Sequence, residues 1–340
     1  MTASPRTLRS RLAPAAKTMM LQGGAFHVLR TFRPNRSLAI LRYHAVCGPE
    51  GHDYASPEIC ISPEAFEAHV RYLTTNYRVL PLGDAVAALR AGKSLPLNSV
   101  VLTFDDGYAD NFMAAETLIR NGATATFYLT TGCLAGGQPF WPAEIRYLVA
   151  AITDPSIVLT SAGDPLTISM ATEADRRRAV GQLTRLFKSR TVAVRERLRD
   201  ELRRAAGHPR LPDIMLTWDQ VRRMHQMGMT IGAHTVTHPN LPSAGIEVAS
   251  SEIQGSRARL EQEIGAPVTM FSYPNGGAER YFTPELQRIV REAGFACATT
   301  SRNGFAGRAS DLYALERVQV HERIEDLVFA LEVERFAFRP

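Results

Sequence analysis

The sequence predicts an α/β fold in which strands and helices alternate around a barrel of parallel strands. Three observations carry that expectation. Ser99–Phe104 (SVVLTF) is a near-continuous apolar run of strand length, the pattern of a strand buried on both faces of a parallel sheet. Extended runs alternate with helical runs of about 10–15 residues over most of the chain, which is the signature of βα units. About seven extended runs at this spacing favour a closed barrel over an open sheet. A chain of 340 residues has room for one barrel with additions.

In chain order, residues 1–36 read as a basic leader, and the first strand spans 37–44 (SLAILRYH). Residues 66–75 carry helical spacing with Phe66, Val70 and Leu73 on one side, 77–82 are extended, and 85–89 are helical before Ser99–Phe104. A helix over 112–120 stops at Asn121-Gly122, and 124–130 (TATFYLT) is rich in β-formers. Helices over 218–227, 248–264 and 284–293 then alternate with strands at 229–233, 268–273 and 295–299. Residues 155–215 break this order. They predict a hairpin over 157–170 turning at Ala162-Gly163-Asp164-Pro165, then an arginine-rich helical stretch over 174–206 with Leu183, Phe187 and Leu198 on its apolar side. Such an insertion is expected to be a solvated cover over part of the barrel.

The net charge of +5 belongs to the start of the chain. Arg6, Arg9, Arg11, Lys17, Arg30, Arg33, Arg36 and Arg42 all precede the first acid, Glu50, so residues 43–340 carry −3. A slightly acidic body removes the case for a duplex-binding face, and no nucleic-acid partner is expected. The leader has neither the uninterrupted apolar core nor the cleavage site of a secretory signal, which points to the cytoplasm or the cytoplasmic membrane face. It is expected to be a solvated or helical arm, with peripheral contact to anionic lipid or a partner as the alternative. No run approaches the ~18 apolar residues of a spanning helix. Cys47, Cys60, Cys133 and Cys297 lack CxxC spacing and read as buried small side chains rather than a zinc knuckle or redox pair.

Chemistry concentrates at the carboxyl ends of three predicted strands, the end of a βα barrel that faces the active site. After Ser99–Phe104 come Asp105, Asp106 and Gly107. Adjacent side chains on extended backbone point different ways, so one carboxylate can hold a metal while the other takes a proton, and the glycine allows the turn that exposes both. A helix N-cap is the competing role. The strand at 229–233 ends in His234-Thr235-Val236-Thr237-His238, two imidazoles four apart on one side of a turn. With one carboxylate they make a three-ligand site open to water. The third constellation, Ser272-Tyr273-Pro274-Asn275-Gly276-Gly277, is a turn by composition whose backbone amide can be aimed at an oxyanion. Phe140-Trp141-Pro142 lies on the same side, where Trp141 either stacks on a sugar face or packs under the insertion.

Together these residues resemble the polysaccharide deacetylases of carbohydrate esterase family four, the NodB homology domain. TFDDGY matches the first motif of that family and His234-Thr235-Val236-Thr237-His238 the second, over a similarity that spans about 37–335. The resemblance implies a distorted (β/α)7 barrel with a helical insertion. It also implies Asp105 as general base and Asp106, His234 and His238 as metal ligands, with N-acetyl hydrolysis on an amino sugar as the reaction. The chain departs from the family at two places. Ser272 stands where the third motif carries an arginine that orients the base, and Arg317 stands where the fifth motif carries its acidic histidine. Arg317 has two readings: a surface or carboxyl-paired arginine near Glu316 and Glu322, or, from a late strand, a guanidinium that reaches Asp105 and replaces the missing arginine. His44 and His321 remain the candidates for the acid. The Tyr43-His44 pair and the SYPNGG turn look like the branch that processes exopolysaccharides or other bacterial surface glycans.

The sequence therefore points to a hydrolase of one divalent metal, zinc by its donor set with cobalt or nickel as alternatives, acting on an N-acetylated glycan. Tyr273, Pro274, Asn275 and Trp141 are the expected oxyanion and substrate residues, and His44 and Arg317 join Asp105 as catalytic candidates. Two rivals keep the same site: hydrolysis of another non-peptide C–N amide, and a glycan-binding pseudo-enzyme.

Overall fold

A computed structural model describes residues 14–276 and 281–337; Arg6, Arg9 and Arg11 of the leader, and Gly277 of the Pro-Asn-Gly-Gly turn, lie outside the described residues. Seven parallel strands close a barrel: β1 (Ala39–Tyr43), β2 (Ser99–Phe104), β3 (Thr126–Leu129), β4 (Thr230–Ala233), β5 (Met270–Ser272), β6 (Cys297–Asn303) and β7 (Leu315–Gln319). Each pairs with the next in sequence, and β1 closes the ring on β7 through Leu41↔Val318 and on β2 through Ala39↔Val100 to Tyr43↔Phe104. Every residue of β2 is buried, as its apolar run requires, and Phe104 stacks between Phe127 and Tyr43 at centroid distances of 4.6 and 5.1 Å.

Six of the seven expected strands are staves. The exception is 77–82, of which only Arg78–Val79 is extended; it pairs with the start of β2, and Arg78 is exposed. The seventh stave is Leu315–Gln319, which sequence periodicity passes over because Glu316 and Arg317 interrupt its apolar residues. Arg317 is nevertheless buried there, since its charge is met inside the barrel.

The insertion has its own core. A hairpin of Ser156–Leu159 and Leu166–Ser169 and the helices Glu173–Lys188 and Val192–Ala205 enclose Ile168, Leu183, Phe187, Leu198 and Leu202 against the helix Trp141–Ala151. Its arginines are not all solvated: Arg199 is buried and bonds Glu144 at 2.6 Å, and Arg203 bonds the same carboxylate at 2.6 Å. The insertion is thus fastened to the barrel by a buried charge cluster rather than laid over it as a solvated cover.

The described part of the leader is likewise no free arm. Pro14–Gln22 and Ala25–Phe32 are helices, and Phe26 is buried against Val328 and Phe329 of the last long helix, Ile324–Glu332. Lys17 pairs with Asp326 at 2.7 Å and Arg30 with Glu332 at 3.3 Å, so two cations of the expected solvated arm neutralise acids about 300 residues away along the chain. Among the described residues no helix is long and apolar enough to cross a membrane. All four cysteines are free and buried.

Candidate active site

The carboxyl ends of the staves open into a cleft of 970 Å³ lined by Asp105, Asp106, His44, His234, His238 and Asn275, among others. The backbone is strained where it delivers them. Of the seven non-glycine residues with positive φ among the described residues, four are here: Asp106 (78°), Thr235 (68°), His238 (55°) and Asn275 (71°). Left-handed backbone in such residues costs on the order of 1–3 kcal/mol each and persists only where surrounding contacts enforce it. Gly107, at φ 91°, completes the first turn; a Cβ there would stand 3.0 Å from Leu129.

Asp106, His234 and His238 bring one ligand atom each to within 4.8 Å of one another, all three buried. The Nε2 atoms of His234 and His238 lie 3.5 and 3.3 Å from Asp106 Oδ1. His234 Nδ1 is 2.8 Å from the Ser272 carbonyl, which can only accept, so the proton is on Nδ1 and Nε2 keeps its lone pair for a cation. Burial pushes the Asp106 carboxyl up, but the two imidazoles that face it outweigh burial and hold the group well below its usual range. Burial also lowers the pKa of His238, favouring the neutral, ligating form. One carboxylate and two neutral imidazoles, with the His238 Nδ1 buried and without a protein partner, fit a divalent metal of borderline character.

Asp105 faces the other way. Arg317 grips it with two bonds, Nη1 to Oδ1 at 2.7 Å and Nη2 to Oδ2 at 2.6 Å, both residues buried. The guanidinium is itself fixed by the Thr300 carbonyl at 2.7 Å, Thr103 Oγ1 at 3.1 Å and Ser272 Oγ at 3.2 Å. Burial raises the Asp105 carboxyl; the charge and hydrogen bonds of Arg317 reverse that and hold it at about 2. His44 Nε2 lies 3.8 Å from Asp105 Oδ2, and burial lowers its pKa to about 4.

A polysaccharide deacetylase family model matches residues 173–298, the segment that holds both histidines. Over that segment the chain is similar to the polysaccharide deacetylases. Proteins of that family are hydrolases of non-peptide carbon–nitrogen bonds, the activity class this chain shares. YxkH of Bacillus subtilis (strain 168), itself assigned to the polysaccharide deacetylases, is 23% identical over 308 residues, covering 90% of this chain and 79% of that protein. The fold is shared with the Streptococcus pyogenes deacetylase PplD, solved in complex with acetate, at a TM-score of 0.57, 20% identity, 87% of this chain and 98% of that one. IcaB from Ammonifex degensii superposes at a TM-score of 0.56 with 19% identity, over 88% of this chain and 97% of its own.

Three residues expected to meet substrate do something else. The Tyr273 amide donates to the Thr299 carbonyl at 3.1 Å and its hydroxyl to the Tyr313 carbonyl at 3.1 Å, while its ring stacks on Phe282; it is core. Pro274 is buried and has no N–H to offer an oxyanion. Trp141 touches the cleft but is only 1% exposed, packed against Phe187, with Nε1 donating to the His238 carbonyl at 2.9 Å. Of its two readings, packing under the insertion is the observed one. Asn275 lines the cleft, its carbonyl accepting from Ser301 and its Nδ2 donating to the Pro239 carbonyl at 3.1 Å. His321 lies exposed at the rim.

Sequence reasoning missed the brace around the histidine turn. Glu252 accepts from the Val236 and Thr237 amides at 2.8 Å each and from the Thr237 hydroxyl at 2.6 Å. Arg195, buried on the insertion's second helix, donates to the same hydroxyl at 3.0 Å. It also missed Arg42, in the cleft next to Gln319, although the Arg42-Tyr43-His44 string at the end of β1 was a signal.

Proposed function

We propose that this protein removes N-acetyl groups from an amino sugar of a bacterial surface glycan or exopolysaccharide, releasing acetate and leaving an amine, with one divalent metal held by Asp106, His234 and His238. The observation that carries the reading is the division of labour between the adjacent aspartates: Asp106 faces two imidazoles while Asp105, buried beside it, is held ionised by Arg317. The match to the polysaccharide deacetylase family model and the acetate bound in PplD support the substrate class. A likeness to a de-N-acetylase from Aggregatibacter actinomycetemcomitans, at a TM-score of 0.52 and 16% identity, is consistent with it.

A divalent cation, zinc by this donor set, supplies Lewis acidity when bound, polarising an amide carbonyl and lowering the pKa of water. Asp105 takes the proton as water attacks the carbonyl carbon. Arg317 fixes the carboxylate in one orientation by a two-point grip, so no reorganisation is needed at that moment. The Asn275 amide, on a left-handed turn at the cleft wall, donates to the oxygen that gains charge. His44, neutral and 3.8 Å from Asp105, takes up the proton that Asp105 gained from water and passes it to the leaving nitrogen as the C–N bond breaks, which returns Asp105 to its ionised form. The test is acetate release from N-acetylated oligosaccharides, with and without chelator, by the native chain and by Asp105→Asn. The variant is expected to keep its metal and lose turnover by roughly 10²–10⁴-fold. Loss of metal with the base, or chelator-insensitive acetate release, overturns this assignment.

A further inference from the structure

One wall of the cleft is the insertion's first helix. Val180, Gly181, Thr184, Arg185 and Lys188 line it, at the i, i+1, i+4, i+5, i+8 spacing of a single helix face. Arg185 is exposed on that face and makes no ion pair among the described residues. On another wall Arg146 donates to the His52 carbonyl from Nε at 3.0 Å and Nη2 at 2.6 Å, so a neutral group fixes it and leaves its charge uncancelled. On the floor Arg42 bonds the neutral side chain of Gln319, and its Nε is buried without an acceptor.

The acids lining the cleft are Glu58, exposed at the rim, and Asp105 and Asp106 at the floor. Both aspartates are engaged, one by Arg317 and one by the histidines. Three guanidiniums thus point at the space a sugar chain would fill without a carboxylate partner of their own. A buried donor left unmatched is costly, and cations converging on a cleft with low-dielectric walls focus a positive potential there. A neutral polysaccharide offers such groups hydroxyl and carbonyl acceptors but no charge to balance theirs; guanidinium is the side chain best matched to carboxylate and phosphate oxygens.

We propose that the substrate is an anionic glycan, in which the N-acetyl sugar is flanked by carboxylate or phosphate groups that Arg185, Arg146 and Arg42 bind. This rests on the deacetylase reading for the reaction and adds the charge of the polymer.

The test is calorimetric binding to the metal-loaded full chain of three oligosaccharides of equal length. One is neutral (β-linked N-acetylglucosamine), one alternates N-acetylglucosamine with glucuronate, and one is joined through phosphodiesters. At least one acidic ligand is expected to bind roughly 10-fold tighter than the neutral one at low salt, with the advantage shrinking as salt is raised. The two acidic arms separate carboxylate from phosphate. Arg185→Glu should bring the ratio toward one. Arg177→Glu, the same charge change on the same helix outside the cleft and paired with Glu173, should leave it intact. Equal or tighter binding of the neutral ligand, failure of both acidic ligands to bind, or a ratio that ignores Arg185→Glu overturns the proposal. Acetate release in the same samples separates the two readings. Acidic preference in binding with no acetate from any ligand counts against the deacetylase reading alone, whereas acetate release without acidic preference counts against the anionic substrate alone.

Discussion

Arg317 of β7 holds Asp105, at the end of β2, through two hydrogen bonds of 2.7 and 2.6 Å, and Ser272 of β5 accepts from the same guanidinium at 3.2 Å. Ser272 is the position where the family's third motif supplies an arginine. The positive charge beside Asp105 thus comes from a different stave, and the short serine leaves space for it. Both departures from the family pattern resolve into one arrangement.

Arg317→Met leaves the Asp105 carboxylate buried without its cation. Turnover should fall by about 100-fold or more, and the acid limb of kcat/KM should move to higher pH, because removing a nearby positive charge raises a carboxylate pKa. Arg317→Lys keeps the charge without the fork and should recover part of the loss. A pH–rate profile of the Met variant at matched metal occupancy checks this; an unshifted acid limb with full turnover would remove Arg317 from the site.

His234→Ala and His238→Ala should lose metal and acetate release together, since a three-ligand site does not readily spare a donor. Metal content after gel filtration, measured beside activity, decides it. Full occupancy in either variant would mean that the triad is not the metal site.

Trp141, packed under the insertion, should tune the metal without touching it. Trp141→Phe keeps an aromatic ring against Phe187 but removes the indole N–H that bonds the His238 carbonyl. Metal affinity is expected to drop by about 10-fold, as for other groups that orient ligands. Competition with a chromophoric chelator reports it, and an affinity equal to that of the native chain would limit the contact to packing.

His69 gives stability a pH dependence away from the site. It is fully buried, and burial lowers its pKa to about 4, so the folded protein binds its proton less readily than the unfolded chain does. The stabilisation is intact above the unfolded value near 6.5 and is lost as pH falls from there toward 4, up to about 3 kcal/mol in all. Urea denaturation at pH 7 and pH 4.5 should show a smaller loss in His69→Gln than in the native chain; equal losses would exclude His69 as the source.

The sequence by itself determined what periodicity and short motifs can encode. The apolar run of β2 requires a strand covered on both faces, the alternation of strands and helices requires parallel pairing, and TFDDGY and the HxxxH turn place two carboxylates and two imidazoles at strand ends. Each depends on residues within a few positions of one another. Tertiary structure decided the rest. Leu315–Gln319 is a stave because Arg317 finds Asp105, 212 positions away along the chain, and without that partner its two charged residues argue against a buried strand. Trp141 belongs to the core rather than to a sugar platform because the insertion's Phe187 covers it, and Tyr273 and Pro274 point away from the chemistry because β5 commits the Tyr273 amide to Thr299. The leader's Lys17 and Arg30 are fold residues because Asp326 and Glu332 come to meet them. A buried charge is tolerated only where its partner arrives, and which partner arrives is settled by the closure of the barrel, a contact between distant segments that no local pattern records.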